Sequence, residues 1–317
     1  MTTDIKVKRH NVSAERLNGD EELPDFDNVT VGIKMFMREQ KLWNCLDSLK
    51  NIGFGEVLVA DDGEVSEKRK IKYGEYKKHL PLKVLDLPYD LGAGEARNRL
   101  VDEAETEYFL LLDSDMVLAD VKTLSIMKKM LSSFSDIGGI AGCWLNKGVD
   151  FKCGASNLER RDRFLIENAE NPREVKKLGV DYCLIFDLVP NSCLFRTEVF
   201  KDIRWDSNFK IGYEHMDFYL EAKKTDWKFG IIPQVLVQHF PGGSLEYRKN
   251  NRSSKKKLNN SLNHFKQKHK IREIIRERTV FLGSVPLYRK FFWKLKQITP
   301  IQISSWVERI EREVIRR

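Results

Sequence analysis

Asp113 and Asp115 stand one residue apart at the end of the apolar run YFLLL (108–112). Two carboxylates at the edge of a buried strand concentrate negative charge, which is costly unless a cation offsets it. Hard divalent cations such as Mg²⁺ or Mn²⁺ take oxygen ligands, and phosphates supply oxygens to complete the shell. A cation held there would act as a Lewis acid on a diphosphate leaving group. The competing reading is a turn carrying two solvated acids. His239 follows VLVQ and precedes Phe240-Pro241-Gly242-Gly243. It gains meaning as a metal ligand only if it converges with Asp115; alone, a histidine is more often structural.

Three further clusters carry ionisable groups. Asp61-Asp62-Gly63 ends the run EVLVA (56–60). A carboxylate there could accept hydrogen bonds from a base or a ribose hydroxyl, as acids after such strands do in dinucleotide folds; the alternative is an Asp-Gly turn. Gly92, Gly94, Arg97 and Asn98 fall at a helix start, where backbone N–H groups and an Arg one turn in suit phosphate. The alternative is a helix-entry loop with Arg97 paired to a neighbouring acid. Glu214-His215-Met216-Asp217 places three ionisable groups in one helical turn, any of which could take a proton from an acceptor hydroxyl. Acids that only complement the helix dipole are the alternative.

These residues need a scaffold, and the pattern supplies one. VTVGIKMF (29–36), EVLVADDG (56–63), LKVLDLP (82–88) and YFLLLDSD (108–115) read as strands, with helical spacing at Leu42, Cys45, Leu46 and Leu49 and over 94–104. Strands alternating with helices predict an α/β fold with a mostly parallel sheet flanked by helices. Ligands in such sheets bind beyond the carboxyl ends of the strands, and Asp61, Asp62, Asp113 and Asp115 all fall there. Further on, 137–145, 181–189 and 229–239 read as strands and 214–225 as a helix, while polar 168–177 reads as a surface helix or loop. The expected division is a polar segment 1–28, a catalytic body 29–243 and a basic, partly amphipathic helical extension 244–317.

Composition sets the limits. In 317 residues, 41% are hydrophobic and 32% charged, and no stretch approaches the ~18 apolar residues of a spanning helix. Residues 1–27 lack the apolar core of a secretory leader. Five scattered cysteines without a CxxC spacing suggest reduced, buried thiols. The expectation is a cytoplasmic chain. The net charge of +8 is uneven: residues 245–317 hold 20 Lys+Arg against 6 Asp+Glu, and residues 1–244 hold 35 against 41. The basic extension should attract an anionic surface. RKNNRSSKKKLNN (248–260) reads as a linker too polar to pack. Tyr288, Phe291, Phe292 and Leu295 recur at helical spacing among lysines and arginines, as in a helix lying peripherally on the cytoplasmic face of a membrane. Packing of those aromatics on the body is the alternative.

Taken in order, VTVGIKMFMREQKLWNCLDSL, VLVADDG, LGAGEARN, LLLDSD, VPNSCLFRTEVF, GYEHMDFYLEA and VQHFPGG resemble the family-2 glycosyltransferases of the GT-A fold over residues 29–243. The resemblance implies transfer of a sugar, with inversion, from a nucleotide-sugar to a hydroxyl of a glycan or lipid-linked acceptor. It puts Arg38, Asp61, Asp62, Arg97 and Asp113 near the nucleotide, and gives Asp115 and His239, with Asp113 beside them, the Mn²⁺ or Mg²⁺. It places the base among Glu214, His215 and Asp217. Where many members have Glu-Asp, this chain has Glu214-His215, so the usual aspartate is replaced by His215, with Asp217 as alternative. That pattern is similar to β-1,4-N-acetylgalactosaminyltransferase-type enzymes and hints at a UDP-hexosamine or UDP-hexose donor. Two rivals remain. A sugar nucleotidyltransferase would carry a glycine-rich loop where this chain has Met35-Phe36-Met37-Arg38. A nucleic-acid-binding protein using the basic tail is disfavoured by the acidic body and the lack of any zinc-finger spacing.

Overall fold

The computed structural model describes residues 25–169, 171–247 and 254–276. Strands β1 (Phe26–Met35), β2 (Phe54–Asp61), β3 (Leu82–Asp86) and β4 (Tyr108–Asp113) pair in parallel, in the order β3-β2-β1-β4. Helices α1 (Glu39–Asp47), α2 (Glu67–Tyr76) and α3 (Ala93–Glu103) connect them. Side chains alternate across a strand, so each buried strand feeds two cores. Val57, Val59, Leu110 and Leu112 meet Leu42, Leu46 and Tyr73 on one face. Leu58, Ala60, Phe109 and Leu111 meet Ala96 and Leu100 on the other. Gly32 in β1 leaves room for its neighbour: a Cβ there would stand 2.1 Å from Phe109 Cζ.

Beyond β4 come β5 (Met116–Leu118), helix α4 (Val121–Ser133), β6 (Ile137–Asn146) and β7 (Asp150–Lys152). Strands β8 (Asn157–Arg161), β9 (Phe164–Asn168) and β14 (Glu273–Arg276) form a separate small sheet. The main sheet continues past β4 through antiparallel β12 (Cys193–Arg196), then β6, β13 (Lys228–His239), β11 (Asp181–Phe186) and β10 (Glu174–Leu178). The fold class is the expected one, with antiparallel strands added at one side. Residues 174–177, expected in a surface helix or loop, instead belong to the edge strand β10. Its sequence EVKKL carries charge suited to an exposed edge, and Glu174 and Lys176 form ion pairs with Lys228 and Asp136.

The second correction concerns the basic stretch after residue 247. Its described part, from Ser254, is not an unpacked linker: Lys255–Lys268 forms helix α7, and a one-turn helix α6 (Leu245–Tyr247) precedes residues 248–253, which lie outside the described residues. Ser254 caps α7 by accepting from Lys257 N, and Phe265 is fully buried beside Phe209 and Tyr213. Its basic side chains meet acids of the body. Lys257 pairs with Asp90 at 2.7 Å, His264 with Asp206 at 2.9 Å, and Lys268 with Asp217 at 2.9 Å. Polar composition misled because these lysines are neutralised locally. The aromatic segment 288–295 lies outside the described residues. All five cysteines are buried and free, and no helix among the described residues is long and apolar enough to cross a membrane.

Phe265→Ala should lower unfolding stability by about 3–5 kcal/mol, the usual loss for a fully buried phenylalanine. Chemical denaturation would measure it, and an unchanged midpoint would mean that α7 is not part of the cooperative unit.

Candidate active site

The sheet register brings the first pair of residues together. β5 runs antiparallel to β13 with Met116 opposite His239, and Phe240 N donates to Asp115 O at 2.8 Å. Two segments more than a hundred residues apart are thereby locked side by side, and His239 Nε2 lies 3.6 Å from Asp115 Oδ2. His239 Nδ1 is buried without a partner. Arg38, in the turn after β1, ion-pairs with the same Asp115 oxygen. An oxygen and an imidazole nitrogen converging in this way, with an orphaned ring nitrogen behind, fit a divalent cation once Arg38 gives way to it.

Asp113 stands on the neighbouring strand end. β1 and β4 place Lys34 opposite Asp113, and Arg97 of α3 reaches Asp113 at 3.2 Å and Glu214 at 3.3 Å. Burial alone would raise Asp113; Arg97 and Arg38 overcome it and hold the carboxyl below its ordinary range. Arg97 is itself buried, and its two acids keep it charged. So Arg97 both lines the cleft and forms the neighbouring ion pairs that its position allowed for.

Glu214 and His215 open helix α5 (Glu214–Ala222). Gly212 and Tyr213 before them both have positive φ, at 73° and 67°. For tyrosine this is a strained conformation, of the kind that persists where surrounding structure enforces it. It turns the first residues of α5 into a cleft of about 390 Å³ lined by Arg38, Arg97, Asp113, Asp115, Glu214, His215 and His239.

Other expected residues are placed differently. Asp61 is fully buried and bound by Arg69 at 3.0 Å and by the Tyr73 hydroxyl at 2.7 Å, and it does not line the cleft. Asp62 pairs with Lys34 at 3.0 Å and accepts from Gly92 N at 3.0 Å, fixing the turn into α3. Burial pushes Asp62 up and Lys34 down, and their pairing opposes both shifts. The N–H groups of Ala93 and Gly94 are not left for phosphate: they donate to the carbonyls of Lys210 and Phe209. Gly92, with φ of 108°, permits this approach, since a Cβ would lie 2.7 Å from Lys210 Cα. Asn98 holds the Trp205 backbone. Asp217 is fully buried, faces Lys268 and His269 of the α7 end, and does not line the cleft. Lining residues that went unread include Lys34, Trp144, Lys210 and Tyr247. A lysine inside the apolar run VTVGIKMF was the one available signal.

A mixed sheet, parallel through β1–β4 and covered on both faces, with a cleft of paired acids and cations beyond the carboxyl edge of those strands, has the architecture of the GT-A fold. The profile of Glycosyl transferase family 2 matches residues 30–204, and the chain belongs to that family: it is a glycosyltransferase. It is 26% identical over 108 residues to the teichoic acid poly(glycerol phosphate) polymerase of Staphylococcus epidermidis, a match spanning 32% of this chain and only 15% of that protein. The crystal structure of GalNAc-T7 with UDP, GalNAc and Mn²⁺ shares the fold at a TM-score of 0.54 and 16% identity, over 78% of this chain and 55% of that one. S. aureus TarS 1-349 in complex with UDP-GlcNAc aligns at a TM-score of 0.48 and 17% identity, over 70% and 61% of the two chains.

Burial, then Arg97, holds the His215 imidazole down from its ordinary 6.5 to about 4. Between those values the unfolded chain binds the extra proton, so stability is full above about pH 6.5 and declines as pH falls toward 4. His215→Asn should flatten this limb in unfolding measured against pH. An unaltered limb would mean that His215 is not held neutral.

Proposed function

We propose that this glycosyltransferase transfers a sugar, with inversion, from a UDP-hexose or UDP-N-acetylhexosamine to a hydroxyl of a glycan or lipid-linked acceptor. The observation that carries the reading is the meeting of Asp115 and His239 at 3.6 Å in a cleft that also holds three buried or nearly buried cations, Lys34, Arg38 and Arg97. Asp115 and His239 would hold Mn²⁺ or Mg²⁺, with Asp113 beside them, and the bound ion supplies Lewis-acid stabilisation of the leaving diphosphate. The presence of UDP and Mn²⁺ in the GalNAc-T7 structure, on the same fold, supports that choice.

The chain's own groups account for the rest. Arg38 and Arg97 place guanidinium charge where diphosphate oxygens would lie, and a buried guanidinium cannot lose its proton to escape burial. His215 is neutral at working pH. The neutral ring carries one nitrogen lone pair, and His215 lines the cleft. That lone pair takes the proton of the acceptor hydroxyl as its oxygen attacks the anomeric carbon and the nucleoside diphosphate departs on the opposite side. A diphosphate nearby raises the imidazole's basicity. Glu214 keeps Arg97 in place rather than acting on the acceptor, and Asp217 anchors α7. The basic extension beyond residue 276 would hold the enzyme against an anionic membrane surface on the cytoplasmic side.

UDP release in the presence of Mn²⁺ tests these roles. Asp115→Ala should lower turnover about 10²-fold or more. His215→Ala should lower kcat by about 10²–10⁴-fold with donor binding retained, and Asp217→Asn should act on thermal stability instead. Near-native turnover in Asp115→Ala would overturn the metal-assisted reading. A greater loss of kcat in Asp217→Asn than in His215→Ala would move the base.

A further inference from the structure

A second cavity, of about 500 Å³, lies at the far end of α5. Its floor is apolar, with Leu158, Leu165 and Ile271 buried. Its rim is basic: Arg160, Arg161, Arg173, Lys223 and Lys224 all line it and are all exposed, with His269 at the back. This concentration stands out on a body whose first 244 residues are net acidic. Local acids only partly offset it. Asp187 serves both Arg173 and Lys223, Glu221 serves Lys224, and Glu159 lies 3.7 Å from Arg161. Among the described residues these five cations stand against three carboxylates, while Asp217 stands behind His269 at 2.7 Å. Lys223 and Lys224 also cover the carbonyl end of α5, whose partial negative charge would otherwise disfavour an anion.

The two cavities share one helix. Helix α5 has Glu214 and His215 in the catalytic cleft and Leu220, Lys223 and Lys224 in the basic cavity. Eight residues of helix separate His215 from Lys223, roughly 12 Å at the helical rise. A shared wall runs alongside. Gly154 and Leu188 line the cleft, Leu158 lines the basic cavity, and a β-bridge between Ser156 and Leu188 ties the two segments together. Asp187, next to the cleft residue Leu188, accepts from Leu158 N and from the Arg173 and Lys223 side chains.

We propose that the basic cavity is an acceptor subsite that binds an anionic substituent, a phosphate or a carboxylate, carried by the acceptor away from the reacting hydroxyl. The proposal rests on the cleft being where transfer occurs, and it adds the class of acceptor: an anionic glycan or polyol phosphate chain rather than a neutral one. Guanidinium groups on the rim give paired donors to either anion, and the apolar floor accommodates the carbon skeleton between charges.

Binding to the full chain tests this with three probes: a glycerol phosphate hexamer, a glucuronate hexamer and neutral maltohexaose. The cavity variant is R160S/R161S/K224S, which spares the Asp187 pairs of Arg173 and Lys223. A control, K68S/K77S/K78S, removes the same charge from the region of helix α2. At least one anionic hexamer should bind the native chain more tightly than maltohexaose. The cavity variant should weaken that binding roughly tenfold, with the control near native. The ratio of the two anionic hexamers identifies the group that is read. Equal weakening in both variants, equal binding of maltohexaose, or no binding of either anionic hexamer would each overturn the subsite. Should the cavity variant lose its fold, R160Q/K224Q carries the same comparison. UDP binding with Mn²⁺, followed on the same proteins, should be unaffected by the cavity variant. Failure of the native chain to bind UDP would sink the reading of the cleft, independently of the hexamer results.

Discussion

Carboxylates buried at the carboxyl edge of a sheet must each find a cation, and that electrostatic requirement organises this molecule. Asp61 is met by Arg69, Asp62 by Lys34, Asp113 and Glu214 by Arg97, and Asp115 by Arg38. Removing one partner from such a buried pair costs several kcal/mol, more than the pair itself contributes. The pairs therefore divide into two kinds. Those closed on all sides, such as Asp61 with Arg69 and Tyr73, fix the sheet to its helices. Those open to the cleft, at Asp113 and Asp115, hold charges in a poised state that an incoming ligand can share or exchange.

Much of this was legible in the residues, because the signals were local. Continuous apolar runs ending in acids gave the parallel strands, and chain order with spacing gave the family. The convergence of Asp115 with His239 could only be stated as a condition, because the register of β5 against β13 that creates it is long-range pairing. Asp61 and Asp62 look equivalent in sequence. Side-chain alternation sends them to different neighbours, one to α2 and one to the turn before α3. The same ambiguity affected Gly92 to Gly94, whose N–H groups look free until carbonyls from 209–210 arrive from a distant segment.

Helix α5 concentrates the consequences of that long-range assembly. Its first turn is set by two residues in the left-handed region and its flank by the α7 contacts to Asp217. His215 and Asp217 are two residues apart, so a helix must point them in different directions. One reaches the cleft and the other the interior. Composition alone does not separate their positions; helical geometry does.

Helix α7 bears on where the catalytic unit ends. The family profile stops at residue 204, and the last strand of the main sheet stops at His239. Yet Asp90, Asp206 and Asp217, drawn from three distant stretches, are all neutralised from residues 257–269. A fusion or chimera joined after Gly243 would strip three acids, one of them fully enclosed, of their α7 partners, leaving Asp90 with Lys210 at 3.9 Å. Splice points for engineering this enzyme therefore belong beyond His269, and a graft of the recognisable family segment alone should carry those counter-ions with it.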